Sequence, residues 1–154
     1  MSKVYDPGMH SAEHILNQTM DRRLGCGRCF SAHIEKKKSK CDYRVEAPPT
    51  PEDMRSIEEQ VNRIIQANLA VSTIMLPRAD AARTFNLERL PADAGEAIRI
   101  VRVGDYDACP CRGDHVSHTG ELGAFRITSW DVNDDVLRIR FKLNRVAGRP
   151  MESP

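Results

Sequence analysis

Two short spacings constrain this chain more than anything else in it. His10 and His14 are separated by four positions, and Cys111 and His115 repeat the same separation far along the chain. On a helix, that spacing sets two side chains on one face, one turn apart. Three imidazole nitrogens and one thiolate suit borderline-soft Zn2+ better than Mg2+ or Ca2+, which take oxygen ligands. A fold that joins the four must bring an early helix against a segment near residue 111, and an ion held there would cross-link the two. The first pair is not the zinc-protease H-E-x-x-H, because Ser11 follows His10. A rival grouping uses sulfur alone: Cys26-Gly27-Arg28-Cys29 together with Cys109-Pro110-Cys111. That grouping leaves His10, His14 and His115 unexplained. A redox reading of Cys26 and Cys29 lacks the βαβ surroundings that would support it.

The chain has 154 residues, enough for one domain with a sizeable core, here expected over 1–154 with a loose tail at 145–154. Its 23 Lys+Arg balance 22 Asp+Glu, so any polyanionic partner must be met by local clusters of base rather than by net charge. No apolar run approaches the roughly 18 residues that span a bilayer. The first residues, MSKVYDPGMH, carry no signal-peptide core, so a cytosolic setting without membrane contact is expected. In a reducing compartment the five cysteines read as thiols or ligands rather than disulfides.

Apolar Ala12, Ile15, Leu16 and Met20 recur at helical spacing from His10 to Met20, and Gly25 and Gly27 end that helix. A hairpin is expected next, with strands near Cys29–Ile34 and Cys41–Val45 around the charged connection 35–40. Thr50 reads as an N-cap, Pro51 as the first helical residue, and Glu52 and Asp53 as first-turn acids. The helix they open carries a one-sided stripe of Met54, Ile57, Val61, Ile64 and Ile65 and runs to about Asn68. Strands are expected at Ala70–Leu76, Ile98–Val103, Phe125–Trp130 and Val136–Leu143, with a helical turn at Asp80–Arg83. In the last strand Leu137, Ile139, Phe141 and Leu143 alternate with Arg138, Arg140 and Lys142. The order predicts an α+β domain: a mainly antiparallel sheet with helices packed on one side.

At the two ligand pairs the sequence becomes recognisable. His10-Ser11-Ala12-Glu13-His14-Ile15-Leu16 resembles the H-T-A-T-H-L-L motif of alanyl-tRNA synthetase editing domains, and Cys111-Arg112-Gly113-Asp114-His115-Val116 resembles their C-G-G-T-H-V. Thr119-Gly120-Glu121-Leu122-Gly123 and Phe125-Arg126-Ile127 are similar to T-G-E-I-G and F-K-I, and 58–65 resembles the family's central helix. The likeness covers about residues 9–143. With no aminoacylation domain in the sequence, it is to the short, freestanding AlaX-type editing proteins; threonyl-tRNA synthetase editing domains share the fold. The resemblance implies an aminoacyl-tRNA deacylase, hydrolysing the ester of a mischarged tRNA, Ser- or Gly-tRNA(Ala) first, at a zinc held by His10, His14, Cys111 and His115. Arg112, Asp114 and Glu13 depart from the family pattern and bear on substrate identity.

For the chemistry of such a site, Glu13, Asp114 and His33 are the candidate proton acceptors, each also readable as an ordinary solvated or core residue. Backbone N–H groups at Gly113 or Gly120 are candidates for oxyanion binding. The tRNA partner would meet Arg22, Arg23, Arg28, the tip Lys36, Lys37, Lys38 and Lys40, and the strand cations Arg138, Arg140 and Lys142. Two other functions fit the same site: a zinc hydrolase of a small ester or amide, and a non-catalytic zinc-stabilised nucleic-acid-binding domain.

Overall fold

The computed structural model describes residues 6–87 and 95–145. Helix α1 (Pro7–Leu24) starts on the Asp6 side chain, which accepts from the Met9 N–H, and stops at Gly25, whose left-handed φ of 64° lets its N–H reach the Asp21 carbonyl. Strands β1 (Ser31–His33) and β2 (Ser39–Arg44) form the expected hairpin. Helix α2 (Pro51–Gln66) opens on a capping box in which Thr50 and Asp53 bond each other's backbone N–H. Its Met54, Ile57, Val61 and Ile65 are buried, as the stripe predicts. Then come β3 (Val71–Pro77), α3 (Arg78–Thr84), β4 (Ala97–Val103), β5 (Asp107–Pro110), a 3-10 turn (Thr119–Leu122), β6 (Ala124–Asn133) and β7 (Val136–Asn144).

The fold is the expected α+β class with antiparallel strand pairing, and the strands divide into two sheets, ordered β1-β2-β7-β6 and β3-β4-β5. Strand β5 is the one that the sequence does not announce. Its residues, Asp107-Ala108-Cys109-Pro110, lack an alternating apolar pattern, yet their backbone pairs with β4 from Val103↔Asp107 to Ile100↔Pro110. A hydrophobic pattern marks a strand but does not name its partner.

Helix α1 packs against α2, β5 and the 3-10 turn. Its apolar Met9, Ala12, Ile15, Leu16 and Met20 join Tyr43, Leu137, Ile139 and Phe141 from the larger sheet in the main core. The opposite face of α1 is also covered: Ser11, Glu13, His14 and Asn17 are buried polar residues. Buried polar groups need partners: Ser11 and His14 meet theirs on β5 and the segment after it, and Glu13 and Asn17 meet theirs at Cys29 and Tyr43. Asn62 pins α2 to the larger sheet by bonding both the N–H and the carbonyl of Phe125. Of the expected tail only Arg145 is described, and its guanidinium pairs with Asp6 at 2.8 Å; residues 146–154 lie outside the described residues.

Candidate metal centre

Helix α1 supplies His10 and His14, and the segment leaving β5 supplies Cys111 and His115; one donor atom from each lies within 4.8 Å of the others. The three imidazole centroids are 4.2, 4.4 and 5.0 Å apart. Each ring has one nitrogen held from outside. His10 Nδ1 lies 3.2 Å from the Asp114 carbonyl, while its Nε2 is 3.3 Å from Cys111 Sγ. His115 Nδ1 meets Ser11 Oγ at 2.9 Å, and its Nε2 is buried with no partner among the described residues. His14 Nδ1 lies 3.6 Å from the Asp107 carboxylate and 3.7 Å from Cys109 Sγ. A buried ring nitrogen without a partner, aimed into a group of two imidazoles and a thiol, is what a metal site of three nitrogens and one sulfur requires, so these residues fit a metal ion.

Burial and close contact between the donors shift their protonation strongly. Burial alone would push the Cys111 thiol up, but the neighbouring His10, His115 and His14 rings bring its pKa down to about 3, which favours the thiolate at neutral pH. Burial opposes charge on His14, yet the Asp107 carboxylate and the sulfurs of Cys109 and Cys111 beside it raise its pKa well above the usual imidazole value. His115 is lowered, by burial first and by the neighbouring rings.

The ligand segment is clamped from behind. Arg99 on β4 donates to the carbonyls of Cys111, at 2.8 Å, and Gly113, and its own carbonyl accepts from the Cys111 N–H. Gly113 needs its missing side chain: a Cβ there would sit 2.3 Å from His10 Cε1. Arg99, Ser11 and Asp107 carry no signal in the sequence that singles them out; they follow only from the meeting of distant segments.

The centre opens on a cleft of 660 Å3 whose walls include Glu13, Asn17, Arg28, Ile34, Phe85 and Arg112. Glu13 lies in it, 3.7 Å from His10 Nε2, and accepts from the Cys29 thiol at 3.5 Å. Ala32 and Ile34 face the cleft, so the strand's two-residue period turns His33 to the other side, where it pairs with Glu35 at 3.0 Å. Asp114 is exposed, and its backbone carbonyl rather than its carboxylate bears on His10. The Gly120 N–H donates to Asn68, whereas Gly113 lies on the cleft wall. The sulfur-only grouping does not assemble: among the described residues Cys29 groups with Glu13 and Cys41, Cys109 with His14 and Asp107, and Cys26 with no such set.

The basic residues are spread over several places rather than gathered in one patch. Arg28 faces the cleft and is bonded to Asp107 at 2.8 Å. Arg22 reaches the Tyr106 carbonyl and lies over its ring, and Arg23 pairs with Asp53. Arg138 and Arg140 form cross-strand pairs with Asp42 and Asp131, both at 2.8 Å. Lys36, Lys37 and Lys38 are exposed at the hairpin tip, and Lys40 and Lys142 are partly exposed.

Comparison with known proteins places this geometry. A profile of the threonyl and alanyl tRNA synthetase second additional domain matches residues 98–140. The chain is 33% identical over 122 residues to an alanine–tRNA ligase of Coxiella burnetii, covering 78% of this chain and 14% of that protein. An alanine–tRNA ligase of Ignicoccus hospitalis is 31% identical over 137 residues, 86% of this chain and 15% of that protein, and one from Neisseria meningitidis is 31% identical over 127 residues, 78% of this chain and 14% of that protein. The chain therefore spans only about a seventh of the length of these relatives, and the matched part holds the segment from β4 through Cys111 and His115 to β7. By these matches the chain belongs to the family of the threonyl and alanyl tRNA synthetase second additional domain.

Proposed function

We propose that the protein is an editing hydrolase that cleaves the ester between a wrongly attached amino acid and its tRNA, with Ser- and Gly-tRNA(Ala) as first candidates, at a zinc held by His10, His14, Cys111 and His115. The observation that carries the reading is the convergence of those four donors at one end of a cleft, in a chain related to alanine–tRNA ligases. Nitrogen and sulfur donors suit Zn2+ better than Mg2+ or Ca2+, which take oxygen ligands.

Ester hydrolysis requires a positioned acyl carbon, a proton acceptor for water and support for the oxyanion. A zinc ion held by these residues would supply Lewis acidity in the cleft. Glu13, lodged in the cleft beside His10, takes the proton from water. The Gly113 N–H, on the wall of the same cleft, supports the oxyanion. Ala32, Ile34 and Phe85 line the space open to the amino-acid side chain, and its size limits which residues enter. The exposed Lys36, Lys37 and Lys38 are the cations best placed to take tRNA phosphates, because the strand arginines already hold carboxylates.

Deacylation of a panel of mischarged tRNAs, with Ser- and Gly-tRNA(Ala) and Ser-tRNA(Thr), tests this. Release of a subset of the amino acids, abolished by Cys111→Ala, is expected. Hydrolysis of none would refute it and leave a zinc-stabilised binding domain, for which a complete set of four protein ligands is the supporting observation. Full activity in a metal-free variant would remove any essential role of the ion.

A further inference from the structure

We propose that Asp107 is the positioning residue of the metal centre. It fixes His14 in the tautomer that keeps Nε2 for the ion, and so sets how tightly the ion is held. The proposal rests on the metal reading of the four-donor cluster.

The Asp107 side chain is fully buried, yet it lies outside the four-donor group. Its two oxygens are shared among three residues. Arg28 donates to both, at 2.8 and 3.3 Å, and Gln18 donates to Oδ1 at 2.9 Å. Oδ2 faces His14 Nδ1 at 3.6 Å, and the His14 side chain is only 4% exposed. Arg28 and Gln18 therefore fix the carboxylate from one side and leave its remaining capacity turned toward the imidazole.

The other group near His14 Nδ1 is the Cys109 thiol, at 3.7 Å. That thiol directs its own hydrogen to the Pro110 carbonyl at 3.4 Å. Between an anionic oxygen and a thiol sulfur, the carboxylate is the stronger acceptor for an imidazole N–H. A histidine that donates from Nδ1 to a carboxylate presents an unprotonated, more basic Nε2 to a metal, and losing such a partner typically weakens binding 10- to 100-fold. The other two rings follow the same plan with neutral partners, Ser11 Oγ for His115 and the Asp114 carbonyl for His10. Among these three Nδ1 partners, that of His14 is the charged one. Asp107 thus links the metal centre to Arg28 on the cleft wall.

The test uses the full chain loaded with zinc. Affinity is measured by competition with a chromophoric chelator, for wild type, Asp107→Asn and Cys109→Ala, with circular dichroism to verify folding and Co2+ absorption to report ligand geometry. Asp107→Asn keeps the size of the side chain and an oxygen for Gln18. The expected result is binding weakened 10- to 100-fold, with an altered Co2+ spectrum and an unchanged fold, and a smaller loss in Cys109→Ala. Affinity of Asp107→Asn within threefold of wild type, or a larger loss in Cys109→Ala, overturns the assignment while leaving the metal reading intact. Absence of zinc binding by wild type overturns both. Should Asp107→Asn not fold, 15N–1H correlation spectra of the zinc-loaded wild type decide: a protonated Nδ1 on His14 supports the role, and a protonated Nε2 refutes it.

Discussion

Replacing Gly113 with alanine adds one methyl group where the structure has His10. The new Cβ would lie 2.3 Å from His10 Cε1 and 2.6 Å from Nδ1, against an ordinary contact of 3.4–4 Å. The ring must therefore retreat by about 1 Å from its present place, since interiors this close have no slack to absorb the methyl group. Metal–ligand distances tolerate only about 0.2 Å. A shift five times larger removes one of four ligands and breaks the contact between His10 Nδ1 and the Asp114 carbonyl. Gly113 does not have a left-handed φ, so alanine carries no backbone penalty there. The expected outcome is a loss of zinc affinity of about 100-fold or more, in line with the cost of misplacing a group by an ångström. The melting temperature of the metal-free protein should move little, because the partly exposed ring can turn toward solvent. Chelator competition gives the first quantity and differential scanning calorimetry the second. An alanine variant that binds zinc within threefold of wild type would refute the reasoning, since it would mean that His10 is not held where the structure has it.

Thr119→Val should lower stability by about 1–3 kcal/mol in urea unfolding, because the buried hydroxyl accepts from the Leu69 N–H and donates to the Ile64 carbonyl, and valine leaves both unpaired. Arg99→Met should weaken zinc binding about tenfold by releasing the carbonyls of Cys111 and Gly113. Asp42→Asn should lower the urea midpoint at pH 7. The hydrogen bonds from Arg138 hold the Asp42 carboxyl below its ordinary value of 3.8, so its contribution is full above that value and lost as the pH falls below it. A difference between variant and wild type that persists at the lowest pH where both remain folded would contradict the sign. Replacing Lys36, Lys37 and Lys38 with serine should reduce the slope of log Kd against log salt for tRNA by about 2, at roughly 0.7–0.9 per phosphate contact; an unchanged slope excludes the hairpin tip.

Some of this molecule could be read directly from its residues. The four residues of the candidate metal centre were legible as a group because each pair repeats a local spacing with chemical meaning, and helix α2 because Thr50, Pro51 and Asp53 spell a capping sequence ahead of a one-sided apolar stripe. The face of α1 that carries His10 and His14 was legible as polar but not as buried. Its cover comes from β5, a strand of Asp, Ala, Cys and Pro with no strand-like pattern of its own. Asp107 escaped notice for the same reason: in sequence it is one acid in a Gly-Asp-Tyr-Asp turn, and only the approach of Gln18 and Arg28 gives it a role. The arginines of β7 were legible as an outward row. Their engagement by Asp42 and Asp131 depends on register across two neighbouring strands, which alternation alone does not fix.

The donors of the metal centre stand far apart in the chain, with 104 positions between Ser11 and the His115 it steadies. Joining them closes most of the domain into one ring. By loop-closure arithmetic, a cross-link over about 100 residues restricts the unfolded chain by roughly 4–5 kcal/mol, as a disulfide of that span would. The ring also has a timetable. At about 5–20 residues per second, the helix pair leaves the ribosome roughly 5–20 s before its thiolate and third imidazole. During that interval the chain holds only two of the centre's four donors, so the centre acquires its full grip in one late step.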